Sequence, residues 1–108
     1  MRAQEYLGRI KKIDTVLKNK AFEIKRLRDL GLNIGRTLDD VANLETERDG
    51  IIKTIEMLPE AEYDVLHKRY VQHETLQEIA SDRKISYSLV TTIHGRALKK
   101  VEEIIHTV

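Results

Sequence analysis

The sequence predicts an all-α chain: an antiparallel, coiled-coil-like helical hairpin over residues 1–58, then a three-helix unit over residues 59–108. Three observations carry this. Charged residues make up 34%, hydrophobic residues 41% and aromatics only 5% of the chain, a balance that suits helices with one apolar stripe and broad solvated faces. One proline and five glycines in 108 residues leave few points where a helix must stop. Apolar residues recur at steps of three and four along most of the length, the period of one helical face. A chain of this size holds one compact domain, or a small domain with a helical extension.

The first run is Tyr6, Ile10, Ile13, Leu17, Ile24 and Leu27, with Lys20 where the next apolar residue would fall. The second is Val41, Leu44, Ile51, Ile55 and Leu58, interrupted by Arg48. Sustained at a seven-residue period, such steps mark a coiled-coil seam. Between the runs, Gly31 suits the left-handed position that ends a helix, Gly35 suits a second unusual backbone angle, and Thr37 or Asp39 can cap the next helix. Folding back about residue 34 sets Leu27 opposite Val41, Leu17 opposite Ile51 and Ile10 opposite Leu58. Lys20 and Arg48 then share a layer, which they tolerate by reaching outward or pairing with Glu23, Glu45 or Asp49. A two-helix hairpin buries little alone. The seam Ile10, Ile13, Leu17, Lys20, Ile24, Leu27, Val41, Leu44, Arg48, Ile51 and Ile55 is therefore expected to meet a second copy, the rest of the chain or another protein.

Pro59 disfavours helical geometry at Leu58 and suits the first turn of a third helix, in which Tyr63, Leu66 and Tyr70 share a face. Val71–Glu74 breaks that pattern. Thr75-Leu-Gln-Glu78 is a capping box opening a short helix with Leu76, Ile79 and Ala80 inward. Residues 81–85 form a turn, with Ile85 filling the space beneath it. Ser86 is the natural N-cap of a long last helix whose apolar positions are Val90, Ile93, Ala97, Leu98, Val101, Ile104 and Ile105. A short helix, a tight turn with one buried aliphatic and a capped second helix is the order of a helix-turn-helix. Tyr87, Ser88, Thr91 and Thr92 are left on the outer face, where a recognition helix presents side chains to the major groove.

Net charge is only +1, but Arg83, Lys84, Arg96, Lys99 and Lys100 follow one another from residue 83 to 100 with no acid between them, a local basic patch on a near-neutral protein. Arg83, Lys84, Arg96 and Lys99 are candidate phosphate contacts, together with Ser86 and the free amides of the helix N-terminus. Thr91 and Thr92 are candidates for base edges or a thymine methyl, and Tyr87 for base or sugar-phosphate contact.

The segment LPEAEYDVLHKRYVQHETLQEIASDRKISYSLVTTIHGRALKKVEEI resembles region 4 of sigma-70-type factors: a leading Leu-Pro, a helix ending in an aromatic, a T-x-x-E-I-A helix, an Ile-Ser turn and a final R-A-L-K-K. Tyr6–Asp14 (Y-L-x-x-I-x-x-I-D) and Glu23–Leu30 (E-I-x-x-L-R-x-L) extend the likeness to small phage-encoded regulators of ArpU type and related families. The resemblance implies a sigma-region-4-like helix-turn-helix and sequence-specific binding of double-stranded DNA in the control of phage or prophage transcription. It places the major-groove positions on Tyr87, Ser88, Thr91 and Thr92. It also keeps an alternative open, a module that docks on RNA polymerase or another regulator. Two departures stand out: region 4 carries charged residues at several of these positions, where all four here are uncharged, and Lys84 replaces the usual turn glycine.

The other candidate partners are RNA polymerase and a second copy of the chain. No small-molecule substrate and no cofactor is expected. Cysteine is absent, so neither a disulfide nor thiolate chemistry is available. His67, His73, His94 and His106 form no H-x-x-x-H pair, and no metal site is expected. A phosphate loop, a nucleophile elbow and a paired-carboxylate cleft are all missing, so the chain is not expected to be an enzyme. No stretch approaches the roughly 20 apolar residues of a membrane span, and a cytoplasmic location without membrane attachment is expected.

Overall fold

The computed structural model describes residues 2–106, and among them are five helices and no strand. Helices α1 (Ala3–Asp29) and α2 (Gly35–Glu56) form the hairpin. Gly31 takes φ 69°, and the Leu32 amide donates to the Leu27 carbonyl at 2.9 Å while the Gly31 amide donates to that of Arg28 at 3.0 Å. This is a Schellman closure, in which a residue without Cβ occupies the left-handed position and lets the last carbonyls of α1 be satisfied.

The second helix begins earlier than its capping residues suggest. Gly35 is its first residue and takes no unusual angle, and the Gly35 amide donates to Asn33 Oδ1 at 2.8 Å. Neither Thr37 nor Asp39 is the cap. Thr37 is instead buried in the hairpin, its hydroxyl 3.4 Å from Glu23 Oε1. The early start shifts the register. Tyr6 Oη meets Thr54 Oγ1 at 2.8 Å, Lys20 Nζ lies 3.4 Å from Asp40 Oδ2, and Arg48 Nε donates to Asp14 Oδ1 at 2.6 Å. These pairs fold about residue 30, not 34. Because the seam repeats at steps of three and four, such a slip still faces stripe to stripe. It separates Lys20 from Arg48, however, and gives each a carboxylate across the hairpin. Lys20 also pairs with Glu23, at 3.5 Å, as expected.

Helix α3 (Glu60–Leu66) opens after Pro59 and runs into a π-helical turn over His67–Val71. There the Gln72 amide reaches back to the His67 carbonyl at 3.0 Å, and the chain leaves through His73 at φ 61°. Helices α4 (Leu76–Arg83) and α5 (Tyr87–His106) complete the fold.

One apolar cluster spans both halves. Leu7, Ile10, Ile13, Ile51, Ile55 and Leu58 from the hairpin pack with Leu66, Tyr70, Ala97 and Val101. At the hairpin's far end Leu17, Ile24, Leu27, Val41 and Leu44 are only half-buried. The longest dimension of the molecule is 53 Å, against 19 Å for the shortest. A polar clasp reinforces the joint: the Ala3 amide, one of the unpartnered donors at the start of α1, donates to Glu102 Oε2 on α5 at 2.7 Å. That bond, ahead of desolvation and the His106 contact, holds the Glu102 carboxyl below its ordinary range. Val65, Ile79, Ala80 and Val90 form a smaller cluster between α3, α4 and α5, with Leu76, Ile85 and Ile93 partly buried against it. Among the described residues no helix is long and apolar enough to cross a membrane.

Ile55 is fully buried in the shared cluster. Ile55→Ala should cost about 2–5 kcal/mol and lower one unfolding midpoint common to both halves. Separate transitions in a urea titration monitored by helicity, with the helix-turn-helix part unmoved, would contradict a shared core.

Candidate nucleic-acid interface

The local chemistry of residues 75–92 builds the interface. The Glu78 amide donates to Thr75 Oγ1 at 3.1 Å and the Thr75 amide donates to Glu78 Oε1 at 2.9 Å, the reciprocal capping box that starts α4. Helix α4 ends at Lys84, which takes the left-handed conformation (φ 56°, ψ 41°), and the Ile85 amide then closes on the Ala80 carbonyl at 3.1 Å. The turn geometry is thus kept without the glycine, and a lysine carries the strain. Ser86 Oγ accepts the Leu89 amide at 3.1 Å and caps α5.

On α5 the inward side is set by Val90, Ala97 and Val101, each without solvent exposure. Tyr87, Ser88, Thr91 and Thr92 are all exposed, and they gather on the first two turns of the helix. Thr91 Oγ1 donates to the Tyr87 carbonyl at 2.9 Å and Thr92 Oγ1 to that of Ser88 at 3.0 Å. The hydroxyl protons are spent on the helix, so each threonine shows the outside a methyl group and oxygen lone pairs. Gly95 lies one turn beyond Thr92 and two beyond Ser88 on this exposed side, and a Cβ there would meet nothing within 4 Å. No internal packing asks for a glycine at that point, although one inside a helix costs about 1 kcal/mol relative to alanine.

The basic residues divide. Lys84, Arg96 and Lys99 are exposed and enter no ion pair among the described residues. Arg83 is bound to Asp64 of α3. Lys100, the fifth member of the basic run, points inward: its Nζ lies 2.8 Å from Oε1 of Glu62, which is only 4% exposed. The Lys100 hydrogen bond outweighs desolvation and keeps the Glu62 carboxyl below its ordinary range.

Sequence reasoning missed the neighbours of Tyr87. An open concavity beside it is lined by Gln4, Arg69, Thr75, Leu76, Gln77 and His94. The capping box placed Thr75–Gln77 at a helix start, and helix-turn-helix geometry brings that start beside the first turn of α5, so Gln77 was within reach of the sequence. Gln4 and Arg69 depend on tertiary packing and were not. Behind the concavity, Tyr70 Oη and His94 Nε2 are 2.9 Å apart with their rings stacked. Burial, and secondarily the Arg69 charge, lowers the His94 pKa, while burial raises that of Tyr70. Among the described residues no group of three or more His, Cys, Asp or Glu side chains is placed to hold a metal ion.

Two measurements check this geometry. Lys84→Gly removes the left-handed penalty of about 1–2 kcal/mol at a smaller cost in unfolded-chain entropy. It should stabilise the fold by about 0.5–1 kcal/mol in urea, and a destabilised variant would mean that the turn is built differently. For His94, the folded-state pKa lies below its ordinary value of 6.5. The unfolded chain therefore binds the proton first, and stability falls as pH drops from 6.5 toward the folded value. His94→Gln should flatten this part of a thermal-stability profile, leaving the loss below pH 4.5 that comes from carboxylates such as Glu62. An unchanged profile near pH 6 would place the His94 ring in water.

Residues 54–103, a little under half of the chain, match the family model of sigma-70, region 4. No curated protein and no solved structure matches. The match begins in the last turn of α2 and runs through α3, α4 and most of α5, so the C-terminal part of this chain, a helix-turn-helix in the structure, is similar to sigma-70 region 4.

Proposed function

We propose that the chain is a sequence-specific regulator of transcription that reads double-stranded DNA by placing the N-terminal half of α5 in the major groove. The observation that carries this reading is the sidedness of α5. Val90 has no exposed surface, while Tyr87, Ser88, Thr91 and Thr92 stand in solvent on the helix's first turns. With their protons held by the helix, Thr91 and Thr92 suit an adenine or cytosine amino group as acceptors and a thymine methyl by contact. The bare backbone at Gly95 lets a groove wall or sugar approach closely. Ser86, the open amides behind it and the helix dipole favour a phosphate. Lys84, Arg96 and Lys99, exposed and in no salt bridge among the described residues, neutralise further phosphates, and Arg83 joins them by exchanging Asp64 for DNA. Four uncharged base-facing residues leave electrostatic affinity to these flanking cations.

In this reading residues 59–108 are the DNA reader and the hairpin over 1–58 is an arm for contacts. Its likeness to phage-encoded regulators supports a role in phage or prophage transcription, carried out in the cytoplasm. A second reading, docking on RNA polymerase or another regulator, is favoured by the far end of the hairpin. There Phe22, Leu30, Leu32 and Leu38 are 66%, 61%, 56% and 44% exposed.

The test is recovery of genomic fragments by the purified protein at about 150 mM salt, near physiological ionic strength, followed by sequencing. One or a few enriched intergenic sites would establish a specific regulator. Uniform or absent recovery would favour the docking reading. Thr91→Ala combined with Thr92→Ala should keep the helix, since alanine is the better helix former. At about 1–3 kcal/mol per base contact it should weaken the preferred site at least tenfold relative to mixed-sequence DNA. Undiminished discrimination would move the recognition face elsewhere.

A further inference from the structure

Gln4, Lys11, Lys18 and Lys25 recur at every seventh position of α1. Seven residues drift only about 20° around a helix, so the four form one row along α1, spanning about 31 Å at 1.5 Å per residue. The row lies away from the seam positions Ile10, Ile13, Leu17 and Ile24. Its direction is fixed by contacts at two points. Gln4, at its start, shares the concavity with Thr75, Gln77 and Tyr87. Asp14, about 60° round from Lys11 in the direction of the drift, meets His73 with Oδ2 3.0 Å from Nε2. Both contacts are with the segment that leads into α4, so the row emerges on the same side as the start of α4 and the exposed first turns of α5.

The three lysines are exposed, and none enters an ion pair among the described residues. Of the other hairpin cations, Arg9 pairs with Glu47, Lys20 with Glu23 and Asp40, and Arg48 with Asp14, while Lys12, Arg26, Arg28, Arg36 and Lys53 enter no ion pair among the described residues but do not share the row. The Asp14 carboxylate at the edge of the row is paired with Arg48 and hydrogen-bonded to His73, and these contacts together prevail over desolvation and lower its pKa. What the row offers is a line of unpaired point charges about 10 Å apart.

Resting on the DNA-binding reading above, we propose that Lys11, Lys18 and Lys25 form a second phosphate-contacting track, so that the hairpin lies along the duplex flanking the site read by α5. The length from Gln4 to Lys25 corresponds to about nine base pairs at 3.4 Å each. Lysines on flexible stems suit this sequence-independent role, because phosphate contacts fix position and supply affinity without reading bases. The track also provides charge that the uncharged face of α5 lacks.

The experiment compares the full chain with a Lys11→Gln, Lys18→Gln, Lys25→Gln variant on a mixed-sequence duplex of about 40 base pairs, long enough for both surfaces. Affinity is followed by anisotropy across a salt series. Each lost phosphate contact lowers the slope of log affinity against log salt by about 0.9, so the triple variant should be shallower by about two to three. Arg36→Gln with Lys53→Gln, which removes charge from α2 instead, should leave the slope within about half a unit of the parent. If the triple variant keeps the parent slope while the Thr91 and Thr92 pair still weakens the preferred site at least tenfold relative to mixed-sequence DNA, the track is refuted and the DNA-binding reading stands. The row would then belong to an acidic protein surface. If the parent chain binds no duplex at all, both readings fall.

Discussion

Everything in this molecule depends on how α5 is divided along its length. Its second half is buried: Ala97 and Val101 have no exposed surface and share one apolar cluster with Leu7, Ile10, Ile13, Ile51 and Ile55. Its first half turns one side inward, through Val90, to a separate small cluster and leaves the other side bare. Helices α3 to α5 alone bury little apolar surface against the entropy of ordering them. The inner end of the hairpin supplies the missing area, and it does so at the end of α5 away from Tyr87. Stability and presentation are thus carried by different turns of one rigid rod, and small side chains such as Ala97 let the hairpin approach closely enough to hold that rod.

The charges follow from the same division. Where elements meet, carboxylates are taken up by partners: Glu62 by Lys100 beneath α5, Glu102 by the first amide of α1, Asp14 by Arg48 and His73. Such groups fix register and orientation more than they add net stability, because a buried or half-buried ion pair loses most of its Coulomb gain to desolvation. What remains uncompensated is therefore informative. Among the described residues, Lys84 and Lys99 around α5 and Lys11, Lys18 and Lys25 in one row of α1 are among the exposed cations that enter no ion pair. A near-neutral chain thereby carries directional positive surface that its net charge conceals.

Much of this fold was legible in the sequence, and the illegible parts share a cause. The capping box at Thr75, the Ser86 cap, the helix end at Gly31 and the helix-turn-helix order are local, and each appears where its residue pattern places it. Lys84 shows the same locality from the other side: the turn imposes its left-handed geometry on a residue ill-suited to it. The hairpin register was misjudged because a seam repeating every three and four residues admits several registers, and the start of α2 decides among them. That start hangs on Asn33, not on the better capping residues Thr37 and Asp39. Equally invisible were the Tyr70–His94 pair, the inward turn of Lys100 and the place of Gln4 and Arg69 beside Tyr87, which all arise where distant segments pack. For the candidate interface, sequence periodicity could say which residues of α5 face away from the core. It could not say which neighbouring cations are already occupied.

The character of the exposed face of α5 also bears on how recognition can work. A charged recognition helix gains affinity and reads bases with the same side chains, so altering one alters both. Here the threonine hydroxyls are tied to the helix backbone, a glycine opens the middle of the face, and the unpaired cations sit around it. Methyl groups, lone pairs and close backbone approach discriminate bases by fit while contributing little long-range attraction. Phosphate contacts do the reverse, attracting any sequence and losing strength with salt. In the proposed DNA-binding role, a chain built this way separates the two tasks spatially, with the small uncharged face as the discriminating element and the surrounding positive surface as the source of binding. The hairpin then has a reason to be long. Beyond the inner end that completes the core, its remaining turns add nothing to the burial of α5; in the proposed role they carry the lysine row of α1 along the DNA that flanks the site.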